Sequence, residues 1–476
     1  MNEEVGGIPY LLRLLKRFLP KDIEKRETLA QILALALTYI VYAAFNCVRY
    51  PNSVVKTRII FQCNVTYADN WKESEFGIPE ETSWCDDISG GSSVENRMGL
   101  LDALFMASYA ICTFISGMLV DRYNPRYFLS AGCIFCGFIA CLIGLAQTWV
   151  VEDYNYLIMC LILFGAAHST GWPVVMSCAT HWYNGSRRGL FFGFWNTHQF
   201  LGIFIASRYV EQEWGWCFYI PAFIILAMAV INFSLFVADP SDLAFLDRKK
   251  EVPLQIEDAL QLPGVLEFSG CLFFTRIVGY AFMGWLPVCI SVVGNLSAQQ
   301  VTIYPLCFLS GACIGGLMIG ILHDKFHKSA FLSSVFLLLS IPSVYIFNSI
   351  CLQVHPDNSI SRMFLFMWIG FITEAPVILI TTSISAELGT HKLIKRDHSA
   401  MATVAGILEG TAALGQIWAP IVSGYFITEY KWIYMIYLMM VLQFLAMMCL
   451  VRLAYREFKK KTDFVFKEYV RSHSFF

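Results

Sequence analysis

The chain has 476 residues, of which 57% are hydrophobic and 15% charged, with a formal net charge of −2. Soluble domains carry roughly 45–50% apolar and about 25% charged residues, so a string of soluble domains is excluded. No basic block interleaved with aromatics lies between the termini, which argues against a nucleic-acid partner. The 16 cysteines are scattered through apolar runs without a His/Cys cluster at zinc-ligand spacing, so neither a metal nor a cofactor is expected.

Residues 1–27 include YLLRLLKRFLP, which is basic, amphipathic and broken by Pro20. It has no small-residue cleavage site and reads as a cytosolic segment lying at the membrane surface. A membrane span needs about 20 mostly apolar residues. Such stretches fall near 28–48, 98–120, 128–148, 155–177, 189–208, 216–238, 266–290, 300–322, 330–350, 361–385, 400–425 and 431–452. The sequence therefore predicts an all-α protein of twelve transmembrane helices. Its division is an N-terminal half at 28–238, a cytosolic linker at 239–265, a C-terminal half at 266–452 and a cytosolic tail at 453–476.

The loops at 121–127, 181–188, 239–265, 323–329 and 386–399, with both termini, hold most of the loop lysines and arginines. The opposite set holds few, although it includes the longest loop, 51–97. Both termini are thus expected in the cytosol. Asn64 begins an Asn-Val-Thr sequon in that long loop and is a glycosylation candidate; Cys63 and Cys85 in the same loop are a disulfide candidate if the compartment is oxidising. One motif repeats. Gly117-Met-Leu-Val-Asp121-Arg122 follows the second span and Gly320-Ile-Leu-His-Asp324-Lys325 the eighth. Recurrence six spans later is the mark of two parallel six-helix halves. The glycines would let helices approach closely, and the Asp-Arg pair would bridge helix ends. With Arg126, these residues form the expected conformational gate.

A charge at mid-membrane costs about 2.5–3.5 kcal/mol, so each one is a functional candidate. Arg49 ends the first span and Arg276 lies in the seventh, equivalent positions in the two halves. Two guanidiniums facing one cavity would form an anion site, because the fork matches phosphate bidentately and keeps its charge. Arg49 could instead snorkel to headgroups, and Arg276 could form an ion pair with Asp102 or Glu409. His198 follows Trp195 and Asn196 on the fifth span, where a hydrogen-bonded core histidine is the plain alternative. His168, Asp102, Glu374 and Glu409 are candidates for charge pairing or proton transfer.

These residues sit in stretches that resemble a known family. FNCVRYPNSVVKTRI, LLDALFMASYAICTFISGMLVDRYNPR, STGWPVVM, HWYNGSRRGLFFGFWNTH, LFFTRIVGYAFMGWLPVCI and ISAELGTHKLIKRDHSAMATVAGILEGTAALG cover both halves in order. The chain resembles the sugar-phosphate/phosphate exchangers of the major facilitator superfamily. The resemblance implies a major-facilitator fold and exchange of a sugar phosphate, resembling glucose 6-phosphate, for inorganic phosphate by alternating access. It places the family's first-span arginine on Arg49, its seventh-span cation on Arg276 and its fifth-span histidine on His198. Trp195, Asn196 and Tyr280 join that substrate set. The chain departs from the family at four positions. Arg49-Tyr50-Pro51 stands for Arg-Lys-Pro, so one cation is missing; His168 stands for glutamine, Glu374 for a small residue and Glu409 for aspartate. One cation lost and one acid gained weaken a site for a dianion.

The expected partners are the bilayer, an organic phosphate and inorganic phosphate, in the endoplasmic reticulum by resemblance. Endolysosomal or surface membranes and any oligomeric state are left open. Two other readings fit the same residues: a proton-coupled carrier of another organic anion, and a transport-inactive partner protein. An integral-membrane phosphatase, the enzyme alternative, lacks an acid/base pair or metal constellation.

Overall fold

The computed structural model describes residues 23–52, 55–56, 94–149, 153–183, 185, 187–209, 214–240, 252–287, 298–351, 359–391, 394, 398–428 and 432–473. The helices among them are α1 (Ile23–Arg49), α2 (Val94–Val120), α3 (Pro125–Thr148), α4 (Tyr154–His168), α5 (Gly171–Trp182), α6 (Arg188–Trp195), α7 (His198–Ser207) and α8 (Trp214–Leu235). After them come α9 (Ile256–Leu260), α10 (Val265–Gly284), α11 (Ala298–Phe326), α12 (Ser329–Cys351), α13 (Ser359–Leu379), α14 (Ser385–Gly389), α15 (Met401–Gln416), α16 (Trp418–Thr428) and α17 (Trp432–His473). Strands β1 (Val252–Pro253) and β2 (His398–Ser399) form one short parallel pair. Asn64, Cys63, Cys85 and the charged stretch Asp247–Glu251 lie outside the described residues.

Ten helical stretches are long and apolar enough to cross a membrane. α6 with α7, and α15 with α16, complete twelve rods among the described residues, each built from two short helices. The breaks have local causes. Between α4 and α5 stand Ser169 and Thr170, whose hydroxyls donate to Ala166 and Ala167 carbonyls, four residues before Pro173 removes an amide. Thr197, between α6 and α7, donates to the Phe194 carbonyl in the same way. α13 passes Pro376 into a π-helical turn, Ile380–Ile384, where the hydroxyls of Thr381 and Thr382 donate to the Val377 and Ile378 carbonyls. The last rod runs on to His473, through the stretch expected to be a tail. The outer girdle exposes large apolar side chains such as Ile111, Phe135, Phe223, Leu338 and Phe444, as a lipid-facing surface requires.

The repeated motif builds two seams. α2 packs along α15 and α16, and α11 along α6 and α7. At the first seam a Cβ on Gly117 would lie 2.7 Å from the Ala402 carbonyl oxygen; at the second, a Cβ on Gly320 would collide with the Gly189 backbone. Glycine is therefore required for this approach. Each aspartate of the motif caps the helix across its seam. Asp121 accepts from the Thr403 amide at 2.9 Å and its hydroxyl at 2.7 Å, at the start of α15. Asp324 accepts from the amides of Gly189 and Leu190 at 2.7 and 2.8 Å, at the start of α6. A carboxylate at a helix N-terminus satisfies orphan amides and meets the positive end of the helix dipole. The expected bridge between helix ends is thus made by aspartate to backbone amides. Arg122 and Lys325 point outward and exposed, while Arg126 is buried and donates to the Tyr127 hydroxyl at 3.0 Å.

Candidate substrate cavity

One cavity is lined by residues of both halves. Arg49, the last residue of α1, stands on one wall and Arg276, midway along α10, on another. Asn196, His198, Tyr280, Glu374 and Glu409 also line it. Seven of the ten substrate and charge candidates thus meet in one space.

The two arginines have different surroundings. The Arg49 guanidinium lies 5.5 Å from the ring centroids of Phe105 and Tyr109 and donates to Met106 Sδ at 3.4 Å. Among the described residues no carboxylate forms an ion pair with it. Arg276 stands between two acids: its guanidinium nitrogens lie 3.7 Å from Glu374 and 3.7 Å from Glu409. At that separation neither contact is a hydrogen bond. Glu409 instead accepts from the Tyr109 hydroxyl at 3.2 Å, across the interface between the halves.

His198 is buried against Tyr42 and Trp195, at 4.9 and 4.6 Å between ring centroids. Asn46 Nδ2 donates to the Tyr42 carbonyl at 2.8 Å and lies 3.4 Å from His198 Nδ1. With an amide donor at Nδ1, the neutral ring carries its proton on Nε2, which is buried and has no protein partner.

Three candidates stand outside the cavity lining. Trp195 does not line the cavity; it backs His198, and its indole donates to the Thr38 hydroxyl at 3.2 Å. His168 is sealed behind the wall among Phe45, Phe105, Tyr109 and Phe164, with Nε2 3.2 Å from the Phe45 carbonyl oxygen. Asp102 pairs with Lys56 rather than Arg276: Lys56 Nζ donates to it at 2.5 Å, and each side chain is 3% exposed. Lys56 also lies 4.2 Å from the centre of the Trp285 ring.

Sequence reasoning missed Lys56, which follows Pro51 in what was taken for a loop. It also missed Asn46 and Asn52; Asn52 lines both this cavity and the smaller space around Lys56 and Asp102. Polar residues near the end of the first span were the available signal. Sequence reasoning also overlooked a C-x-x-C pair, Cys133 and Cys136; both are fully buried within α3, where thiols behave as small hydrophobes.

Residues 73–393 match the Major Facilitator Superfamily. The glucose-6-phosphate exchanger SLC37A2 of Mus musculus is 31% identical over 467 residues, covering 89% of this chain and 92% of the relative. The glucose-6-phosphate exchanger SLC37A1 of Mus musculus is 29% identical, over 88% of this chain and 92% of the relative. Among solved structures, an inward-facing, unoccupied bacterial homologue of the human lysosomal transporter Spinster aligns with a TM-score of 0.61 at 17% identity, covering 90% of this chain and 98% of that one. That likeness speaks to the fold alone. The chain is a multi-pass membrane protein that belongs to the major facilitator superfamily, in the family that holds these sugar-phosphate exchangers.

Proposed function

We propose that this protein is a secondary active transporter that carries a sugar phosphate and exchanges it for inorganic phosphate by alternating access. The observation that carries the reading is the meeting of Arg49 and Arg276, from equivalent rods of the two halves, in one cavity. A phosphoryl group between them would draw the halves together, and His198 Nε2 would donate to one of its oxygens. Asp121 and Asp324 would hold the gate on their face of the bundle, and breaking their caps would open it. Loop charge places that face and both termini in the cytosol, and the resemblance favours the endoplasmic reticulum. Transport needs no chemistry on the substrate, and the cavity is read as a binding site rather than a catalytic one.

The test is uptake of labelled glucose 6-phosphate and labelled phosphate into proteoliposomes, either preloaded with phosphate or empty. Wild type is compared with Arg49→Ala and Arg276→Ala. Removing one charged partner from a buried contact costs about 2 kcal/mol or more. Uptake below saturation should then fall at least about thirtyfold. Uptake driven by a pH gradient with no phosphate inside would instead support the proton-coupled reading. Folded protein that neither binds nor moves phosphate compounds would refute the proposal.

A further inference from the structure

The fixed charges of the cavity do not suit a simple phosphate dianion. Arg49 and Arg276 bring two positive charges, Glu374 and Glu409 two negative ones, and the sum is zero. Lys56 and Asp102 in the adjoining space also cancel. A dianion entering this site would leave two uncompensated negative charges in a low-dielectric interior.

Both acids are built into the wall. Gly279, on the same helix as Arg276, leaves the space that Glu374 Oε1 occupies; a Cβ there would collide with that oxygen. Glu409 is 6% exposed, and its Oε1 accepts from Tyr109. Its Oε2 is buried and lies 3.7 Å from the Arg276 guanidinium, beyond hydrogen-bond reach, with no other donor; the guanidinium Nε of Arg276 likewise has no acceptor. A buried ionic acceptor without a donor is costly until one arrives, so the wall is complete only with a ligand that donates to it. Arg49 and Glu409 stand at different parts of one tyrosine side chain, Tyr109, the guanidinium over its ring and the carboxylate at its hydroxyl.

Resting on the sugar-phosphate reading above, we propose that the substrate is a phosphate ester that also bears a protonated amine. Its phosphoryl group sits at Arg49 and Arg276, and its ammonium donates to Glu409 Oε2 beside Glu374. An ammonium supplies the missing donor and offsets one of the two uncompensated charges, whereas a hydroxyl of a neutral sugar supplies a donor without charge.

The test measures competition against uptake of labelled glucose 6-phosphate in proteoliposomes. The competitors are unlabelled glucose 6-phosphate, glucosamine 6-phosphate and N-acetylglucosamine 6-phosphate, the last having its amine neutralised. Glucosamine 6-phosphate should compete at concentrations at least about tenfold lower than the other two. Glu409→Gln and Glu374→Gln should each narrow that gap. Equal competition in wild type, or a preference that survives in both folded variants, overturns the inference. The wild-type comparison needs no variant, so a misfolded mutant does not obstruct it. Uptake of glucose 6-phosphate without an amine preference defeats this inference alone. Failure of every phosphate ester to bind, judged by thermal shift of the folded protein, defeats the sugar-phosphate reading and this inference with it.

Discussion

Replacing Lys56 with methionine keeps most of the side chain's length, removes its charge and strands Asp102. The ammonium and carboxylate are 2.5 Å apart, each side chain 3% exposed. The nearest other help for Asp102 is Asn52, whose amide is 3.5 Å away. Removing one partner of a buried pair costs about 3–5 kcal/mol, most of it the penalty of the charge left behind. Asp102→Asn strands the ammonium instead, but the Trp285 ring 4.2 Å away remains. A desolvated cation–π contact is worth about 2 kcal/mol, so this variant should lose only about 1–3 kcal/mol. The double variant Lys56→Met with Asp102→Leu buries no charge and should fall within about 1 kcal/mol of wild type. Thermal unfolding of purified protein in detergent ranks the four proteins: wild type and the double variant highest, Asp102→Asn next, Lys56→Met lowest. Equal loss in the two single variants, or a double variant as unstable as Lys56→Met, would refute the reasoning. Asp102→Asn also frees a cation next to Asn52, which lines the main cavity, so the affinity for glucose 6-phosphate should rise.

The remaining expectations concern the seams and the sealed histidine. Gly320→Ala and Gly117→Ala each push a methyl group into backbone across a seam and should abolish transport in uptake assays. Gly284→Ala, whose nearest neighbours would be 3.9 Å away, should be tolerated. Asp324→Ala removes one helix cap of two hydrogen bonds, worth about 1 kcal/mol, and should shift the population toward opening at that face about fivefold. Distances between spin labels at Tyr123 and Lys325 in a cysteine-free background would report it, and an unchanged distribution would contradict the capping role. His168→Gln, with an amide that can replace the contact to the Phe45 carbonyl, should leave uptake and its pH profile unchanged. A displaced profile would return His168 to the list of proton carriers.

Much of the site was legible because charge is expensive inside a membrane. Arg49, Arg276, Glu374 and Glu409 stood out in apolar runs, and the structure brings all four to one cavity. The same logic did not reveal that His168 and Trp195 lie behind the cavity wall, since a polar group in a span signals burial but not which face of the rod it occupies. Lys56 escaped for the opposite reason. Beyond Pro51 the hydropathy falls, yet the chain stays buried there and carries a lysine into contact with the second and seventh rods. The repeat revealed the gate aspartates, but their acceptor role toward amides more than a hundred residues away depends on how the rods pack. Ten rods announced themselves by length and hydropathy; the broken rods α6–α7 and α15–α16 had the composition without an uninterrupted helix.

The gate keeps the symmetry of the repeat and the cavity abandons it. Asp121 and Asp324 do the same thing at the two seams, each capping a helix of the other half next to a glycine that permits the approach. Under the proposed alternating access, a motion that opens one seam would have to break the same kind of cap at the other, which suits two halves rocking as a pair. Arg49 and Arg276 occupy equivalent rods but are not equivalent in charge: one rests on aromatic faces, the other between two carboxylates. A symmetric ion such as inorganic phosphate would gain no orientation from that difference. A ligand with a phosphoryl end and a donor end converts it into orientation, and the wall opposite Arg49 then becomes the determinant of which organic phosphate is carried.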